Sequence, residues 1–306
     1  MSSTEKKRGC RFVGILLAIV LLLSGLWMSG AAEGLRGSVG LHAQAAARSS
    51  AGRHRSKLKK YGVFLGISRS RISRLKNYRS VVIEPEAFTR SDVTSLHKKG
   101  KKVYAYLNIG SIEKSRSYYS RFAGITLGAY DDWPDERWVD VSRPAWQRFI
   151  VDELAKKYVS RGYDGFFLDN ADVYDRYHTA SVYSGLCSII KGLRQYHKRL
   201  IMNGGDVFVT ACMNHKNKSA LPYAVNQEEV YTRINFSKKT FGRQRKSVTK
   251  YYLKYLRRAK KHGMRVYLLE YGAGRSLSAS ISRGCKKYGF VWYNAGNINL
   301  SRAASK

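Results

Sequence analysis

Fourteen of the 21 acidic residues gather around the ends of a few short apolar runs, in a chain that is otherwise strongly basic. Glu84 and Glu86 close the run at 80–85, and Glu113 follows the run at 102–109. Asp169 ends the run at 164–169, with Asn170 and Asp172 just beyond. Asp206 follows 200–204, Glu228 and Glu229 lie in 223–230, and Glu270 and Tyr271 close 265–271. Five more, Asp131, Asp132, Asp135, Glu136 and Asp140, lie between the third and fourth runs. Carboxyl groups gathered in one place can act as general acid, general base or nucleophile, because burial and like-charge neighbours push their pKa values apart. Tyr106, Tyr271, Trp292 and Tyr293 fall beside the same run ends. Aromatic faces next to carboxylates suit sugar rings, whose C–H faces stack while their hydroxyls bond to the acids. Any single one of these acids can equally serve to cap the helix that follows it. The gathering of fourteen is what points to an acidic pocket.

To converge, these residues need one scaffold edge. Eight short runs rich in strand formers fall at 61–67, 80–85, 102–109, 164–169, 200–204, 223–230, 265–271 and 290–295. Several are apolar without alternation, as in Val81-Val82-Ile83 and Phe166-Phe167-Leu168, which fits parallel strands covered on both faces. Amphipathic stretches separate them at 91–99, 144–161, 179–197, 246–262 and 276–288. In 144–161, Trp146, Phe149, Ile150, Leu154 and Tyr158 share one helical face, Ser142 suits the N-cap, Pro144 the first turn and Gly162 the stop. Gly100, Gly263 and Gly289 mark three more helix ends. The helix expected at 207–221 is poorly marked. Alternating strand and helix predicts an α/β protein, and eight strands in about 240 residues favour a closed (β/α)8 TIM barrel over 61–306. In such a barrel the reactive groups sit at the C-terminal strand ends, where the acids lie.

The 306 residues are 44% hydrophobic and 12% aromatic, which excludes a disordered chain. Lys and Arg number 56, for a net charge of +35. Residues 1–32 carry Lys6, Lys7, Arg8 and Arg11 against Glu5, so +32 belongs to the rest. A basic start, an uncharged stretch at 12–28 and small residues at 29–32 read as a signal peptide or signal anchor, which places the body outside the cytoplasm. Residues 33–60 read as a basic, flexible linker. So basic a body should associate with an anionic cell wall or membrane surface. Specific nucleic-acid binding would rest on charge alone. Cys187, Cys212 and Cys285 allow at most one disulfide and are expected as buried thiols. No GxxxxGK[ST], GxGxxG after the first strand, HExxH or GxSxG occurs, so no metal or cofactor is expected.

The segments VYAYLNIGSIE (103–113), WVD (138–140) and GYDGFFLDN (162–170), with NGGD (203–206) and QEE (227–229) as looser matches, resemble the endo-α-1,4-polygalactosaminidase family, glycoside hydrolase family 114. The resemblance runs from about Tyr61 to Asn297 and implies a TIM barrel that hydrolyses an amino-sugar polysaccharide; a monomer is expected. It implies Asp169 as nucleophile and Glu228 as acid/base, with Glu229 as the alternative, since strand alternation lets only one of the two face the mouth. It also implies sugar contacts from Tyr106, Glu113, Asp140, Asp172 and Asn203, and the strand-end positions of Asn108, Asn170, Glu270, Tyr271 and Tyr293 add further candidate contacts. The competing expectation is an inactive barrel that binds cell-surface polysaccharide. Carboxyls more than roughly 10 Å apart would favour that binder, because the distance exceeds either catalytic spacing.

Overall fold

Eight parallel strands form the frame of a computed structural model that describes residues 59–131 and 133–304. They are β1 (Lys59–Phe64), β2 (Tyr78–Ile83), β3 (Lys102–Asn108), β4 (Gly165–Asp169), β5 (Arg199–Asn203), β6 (Ala224–Glu228), β7 (Arg265–Tyr271) and β8 (Val291–Ala295). Each pairs in parallel with its neighbours in chain order. β8 lies against β1, which makes the sheet a nearly closed barrel. The leader at 1–32, the linker up to residue 58, and Asp132 lie outside the described residues. Among the described residues no helix is long and apolar enough to cross a membrane.

The eight strands overlap the eight apolar runs, and β1 begins at Lys59, so Lys59 and Lys60 belong to the barrel and not to the linker. β4 is buried at every position, because helices cover the outer face and side-chain layers fill the inner one. Helices follow β2 (Arg90–Lys98), β4 (Ala180–Leu193), β5 (Asp206–Asn214), β6 (Lys246–Lys261) and β7 (Arg275–Tyr288). Thr89 and Asp92 form a reciprocal capping box at the first of these. The stretch predicted at 144–161 is helical but changes pitch. An α-helical turn (Pro144–Arg148) passes into a π-helical segment (Phe149–Ala155) and back to α (Lys156–Ser160). Its predicted face is buried, at roughly 1.5–3 kcal/mol per large apolar side chain. Trp146 Nε1 donates to the Ile109 carbonyl at 2.9 Å and so ties this helix to the end of β3. Gly162 ends it at φ 92°, a conformation that costs other residues dearly.

Three local features differ from the sequence expectation. Arg143, not Ser142, occupies the N-cap before Pro144, because the Ser142 hydroxyl bonds the Asp140 carboxylate instead. The segment after β3 is a three-stranded antiparallel sheet (Ser111–Glu113, Thr126–Tyr130, Trp133–Val139), where only a loop was read. A hairpin (Thr232–Asn235, Thr240–Arg243) follows β6. Both additions sit on the side of the barrel where the strands end, and both supply partners to the acids there.

Candidate active site

Asp169 is the last residue of β4 and is only 2% exposed. Glu228 is the last residue of β6 and is 6% exposed. Asn203, the last residue of the intervening β5, connects them. Its Nδ2 donates to Asp169 Oδ1 at 2.8 Å and to Glu228 Oε1 at 2.8 Å. Two oxygens each 2.8 Å from one nitrogen can be no farther apart than twice that, 5.6 Å. With Asn203 Oδ1 taken by the Asn226 amide, the NH2 end of Asn203 is the one that stands between the two acids. Asn226, two residues before Glu228 on the same strand face, donates from Nδ2 to Asn203 Oδ1 at 2.6 Å. Tyr61 from β1 donates to Asn226 Oδ1 at 3.2 Å. The line Tyr61–Asn226–Asn203 thus runs across the barrel interior and aims one amide at both acids.

Each acid has a phenol as well. Tyr106 of β3 donates from Oη to Asp169 Oδ2 at 2.9 Å, and Tyr271 of β7 donates to Glu228 Oε2. Burial pushes Asp169 up to about 6, held back by the donors Asn203 and Tyr106. Burial pushes Glu228 further, to about 8, and the charge of Asp169 adds to the rise. Near pH 7 the first is therefore mainly ionised and the second mainly protonated, which is the division of labour that nucleophile and acid require.

A third buried acid adjoins the pair. Glu136, on the antiparallel sheet, accepts at Oε1 from Ser111 Oγ, from Asn108 Nδ2 at 2.9 Å and from Asn170 Nδ2 at 3.0 Å. Among the described residues its Oε2 is buried without a partner. Burial, then the charges of Glu113 and Asp169, push it up to about 8. Asn170 stands at φ 64°, and a Cβ on Gly110 would fall 1.8 Å from its carbonyl oxygen, so only glycine fits there. Asp172 accepts from the Gly205 N–H at 2.8 Å, and burial together with the charge of Asp206 holds its carboxyl well above the usual range.

The remaining expected contacts are engaged by other partners. Glu229 turns away at φ 55° and accepts from the Ile234 N–H of the hairpin, so Glu228 is the one of the pair that meets Asp169. Glu270, fully buried, accepts from the N–H groups of Tyr231 and Thr232 and from the Thr232 hydroxyl, and thereby anchors the hairpin. Glu113 is held by Arg116 through both carboxylate oxygens, at 3.0 and 2.9 Å. Arg116 also grips buried Glu84 at 3.2 Å. Asp140 accepts from Ser142 and from Arg143 Nε, fixing the turn into the following helix. Tyr293 packs its ring against Phe64 and Tyr78, apart from the acid pair. Asn226, Tyr61, Ser111 and Arg116 were not expected at the site. Only Asn226 carried a sequence signal, its spacing of two from Glu228. Among the described residues no cluster of three or more His, Cys, Asp or Glu can hold a metal ion.

Comparison with known proteins adds family and fold. The glycoside hydrolase domain of PelA from Pseudomonas aeruginosa is similar at a TM-score of 0.68 and 17% identity, over 79% of this chain and 96% of that one. Ega3 from Aspergillus fumigatus, in complex with galactosamine, is similar at 0.64 and 17% identity, over 81% and 94%. An uncharacterized protein of Deinococcus radiodurans is 24% identical over 208 residues, and the match spans 64% of the length of each. The profile of glycoside hydrolase family GH114 matches residues 42–295, a span that holds the whole acid cluster, and the chain belongs to that family.

Proposed function

We propose that this protein hydrolyses a glycosidic bond in an amino-sugar polymer with retention at the anomeric carbon, Asp169 acting as nucleophile and Glu228 as acid/base. The observation that carries the reading is the single Asn203 amide shared by both carboxyls, which keeps their nearest oxygens within 5.6 Å. Retaining enzymes place their carboxyls about 5–5.5 Å apart, whereas inverting ones leave about 6.5–9.5 Å for a water. In the first step an Asp169 oxygen attacks the anomeric carbon while Glu228 gives its proton to the leaving oxygen. In the second, the Glu228 carboxylate takes a proton from water, whose oxygen displaces Asp169 from the sugar. The short spacing also supports an enzyme over an inert carbohydrate-binding barrel.

The amino sugar is inferred from charge. Glu136 and Asp172 stand beside the reacting pair with raised pKa values, and a substrate ammonium is the counter-charge such a site lacks. The galactosamine held by Ega3 points the same way. The outside is opposite in sign. The helix Lys246–Lys261 carries seven cations and no acid, and Arg257 from it covers the Tyr288 ring of the neighbouring helix at 5.4 Å. This face suits an anionic wall or membrane surface, and the leader read at 1–32 would deliver the protein there. Release from anionic walls should therefore rise with salt, and equal release at low and high salt would remove the docking role.

The test is a screen of purified protein against acetylated and deacetylated galactosamine and glucosamine polymers, reading reducing ends and the anomer first formed. Retention by the parent and loss of activity in a folded Asp169→Asn variant are expected. Inversion, or full activity in that variant, refutes the assignment. Polymer retained without new reducing ends indicates the inert binder.

A further inference from the structure

Away from the acid cluster, two of the three described cysteines meet. Cys187 lies on the helix after β4 and Cys212 on the helix after β5. Asn217 ties the two together: its Nδ2 donates to Cys187 Sγ at 3.4 Å and its backbone N–H donates to the Cys212 carbonyl at 2.9 Å. Asn217 Nδ2 also lies 3.3 Å from Tyr183 Oη, so a small polar cage surrounds the pair. Cys212 is fully buried and Cys187 is half-buried. Cys285 is buried on the helix after β7 and bears no such relation to either.

We infer that Cys187 and Cys212 are a built dithiol site that closes to a disulfide when the protein meets a small-molecule disulfide oxidant such as glutathione disulfide. The half-buried sulfur is the one an oxidant can reach. Donors from Cys212, then Tyr183 and Asn217, hold its thiol down to about 7, so the thiolate is present near neutral pH. The Cys187 thiolate attacks one sulfur of the oxidant and expels the other half as a thiolate. The mixed disulfide on Cys187 is then attacked by Cys212, which loses its proton and displaces the second thiol. In total, two cysteine thiols and one oxidant disulfide give one protein disulfide and two small thiols. Both cysteine protons and both electrons end on the small thiols.

The bond would clamp two adjacent helices. One follows the loop carrying Asn170 and Asp172, and the other opens beside Gly205, whose N–H holds Asp172. It closes a loop of 25 residues, so oxidation should raise Tm by roughly 5–15 °C through the constrained unfolded chain. The catalytic pair is not part of the cage, so turnover at room temperature should be the same in both states.

The experiment treats the reduced full-length protein with glutathione disulfide, alkylates remaining thiols and maps tryptic peptides without reduction. The expected product joins peptides 177–191 and 200–216, two hydrogens lighter than their sum, with Cys285 alkylated. Tm should rise on oxidation and fall back on reduction. In Cys187→Ser the two treatments should give one Tm, and this half-buried site tolerates the change even where Cys212→Ser fails to fold. Equal alkylation of Cys187 and Cys212 with and without oxidant overturns the inference. So does a stable glutathione adduct on Cys187, a bond from Cys187 to Cys10 or Cys285, or a Tm gain that survives in Cys187→Ser.

Discussion

Tyr106→Phe tests the nucleophile role proposed for Asp169. The phenol donates to Asp169 Oδ2 at 2.9 Å, inside the barrel, and favours the charged carboxylate. Phenylalanine keeps the ring and its packing and removes only that donor. A hydrogen bond to a charged group is worth about 1.5–3 kcal/mol, and one pKa unit is 1.36 kcal/mol, so Asp169 should rise by about 1–2 units from about 6. Reaction needs Asp169 ionised, so the acid limb of kcat/KM against pH should move up by the same amount. At pH 5 the variant should lose roughly 10–100-fold, and near pH 9 much less, because both proteins are then ionised at Asp169. Tyr271→Phe is the complement. It removes a donor to Glu228, whose pKa about 8 should rise further, so the alkaline limb should move up while the acid limb stays. The assay is reducing-end release from an amino-sugar polymer between pH 4.5 and 9.5. The substrate amine titrates too, but identically for parent and variant, so the difference between profiles belongs to the protein. A uniform loss in Tyr106→Phe with an unmoved acid limb would refute Asp169 as the group behind that limb. Interchanged limb shifts in the two variants would reverse the two roles.

Glu228→Gln should lower kcat/KM by roughly 10²–10⁴-fold and abolish the alkaline limb, and a surviving limb near pH 8 would assign it to another group. Glu136 has a folded pKa of about 8 against an unfolded value near 4.5. Its protonated form therefore contributes stability below about pH 4.5, and that contribution is lost as pH rises through 8. Glu136→Gln should consequently be the more stable protein at pH 9, by up to about 5 kcal/mol from 3.5 units, in urea unfolding; an unaltered pH dependence would sink this. Arg116→Met leaves Glu84 and Glu113 buried without their cation and should cost about 3–5 kcal/mol in urea unfolding at pH 7. A loss under 1 kcal/mol at pH 7 would mean the two acids find solvent or other donors.

The barrel was legible because parallel strands covered on both faces must be apolar throughout, and Val81-Val82-Ile83 and Phe166-Phe167-Leu168 have no other economical reading. The acid pair was legible because β4 and β6 end in Asp169 and Glu228. Alternation said that one of Glu228 and Glu229 faces the mouth, but not which. That choice depends on where β6 stops. Glu229 leaves the strand at φ 55°, and the hairpin that takes its carboxylate gave no turn signal strong enough to be read. Glu270 sits at its strand end as expected, yet the same hairpin occupies it. The sheet after β3 was hidden for another reason. Its strands carry Asp135, Glu136 and Arg137 among the aromatics, and a register shift interrupts their pairing, so no clean period survives. Its consequence is large, because Glu136 becomes a buried acid only once that sheet closes over Asn108 and Asn170.

A chain with a net charge of +35 sustains six carboxyls above their usual range because the two charge populations act over different distances. Surface cations are screened within about 8 Å at physiological salt. The acids lie behind the barrel wall, and Arg116, the buried cation among them, is already shared by Glu84 and Glu113. Burial is the leading cause of the rise at Asp169, Glu228 and Glu136 alike, so the dry mouth, and not the shell, decides their protonation. Under the proposed function the shell would set where the molecule resides and the mouth what it does there. A cationic polymer is disfavoured on approach to the outer helices and favoured once an ammonium enters the cleft. Such an enzyme would work best on chains already presented at an anionic surface, where the counter-charge of that surface offsets the long-range repulsion.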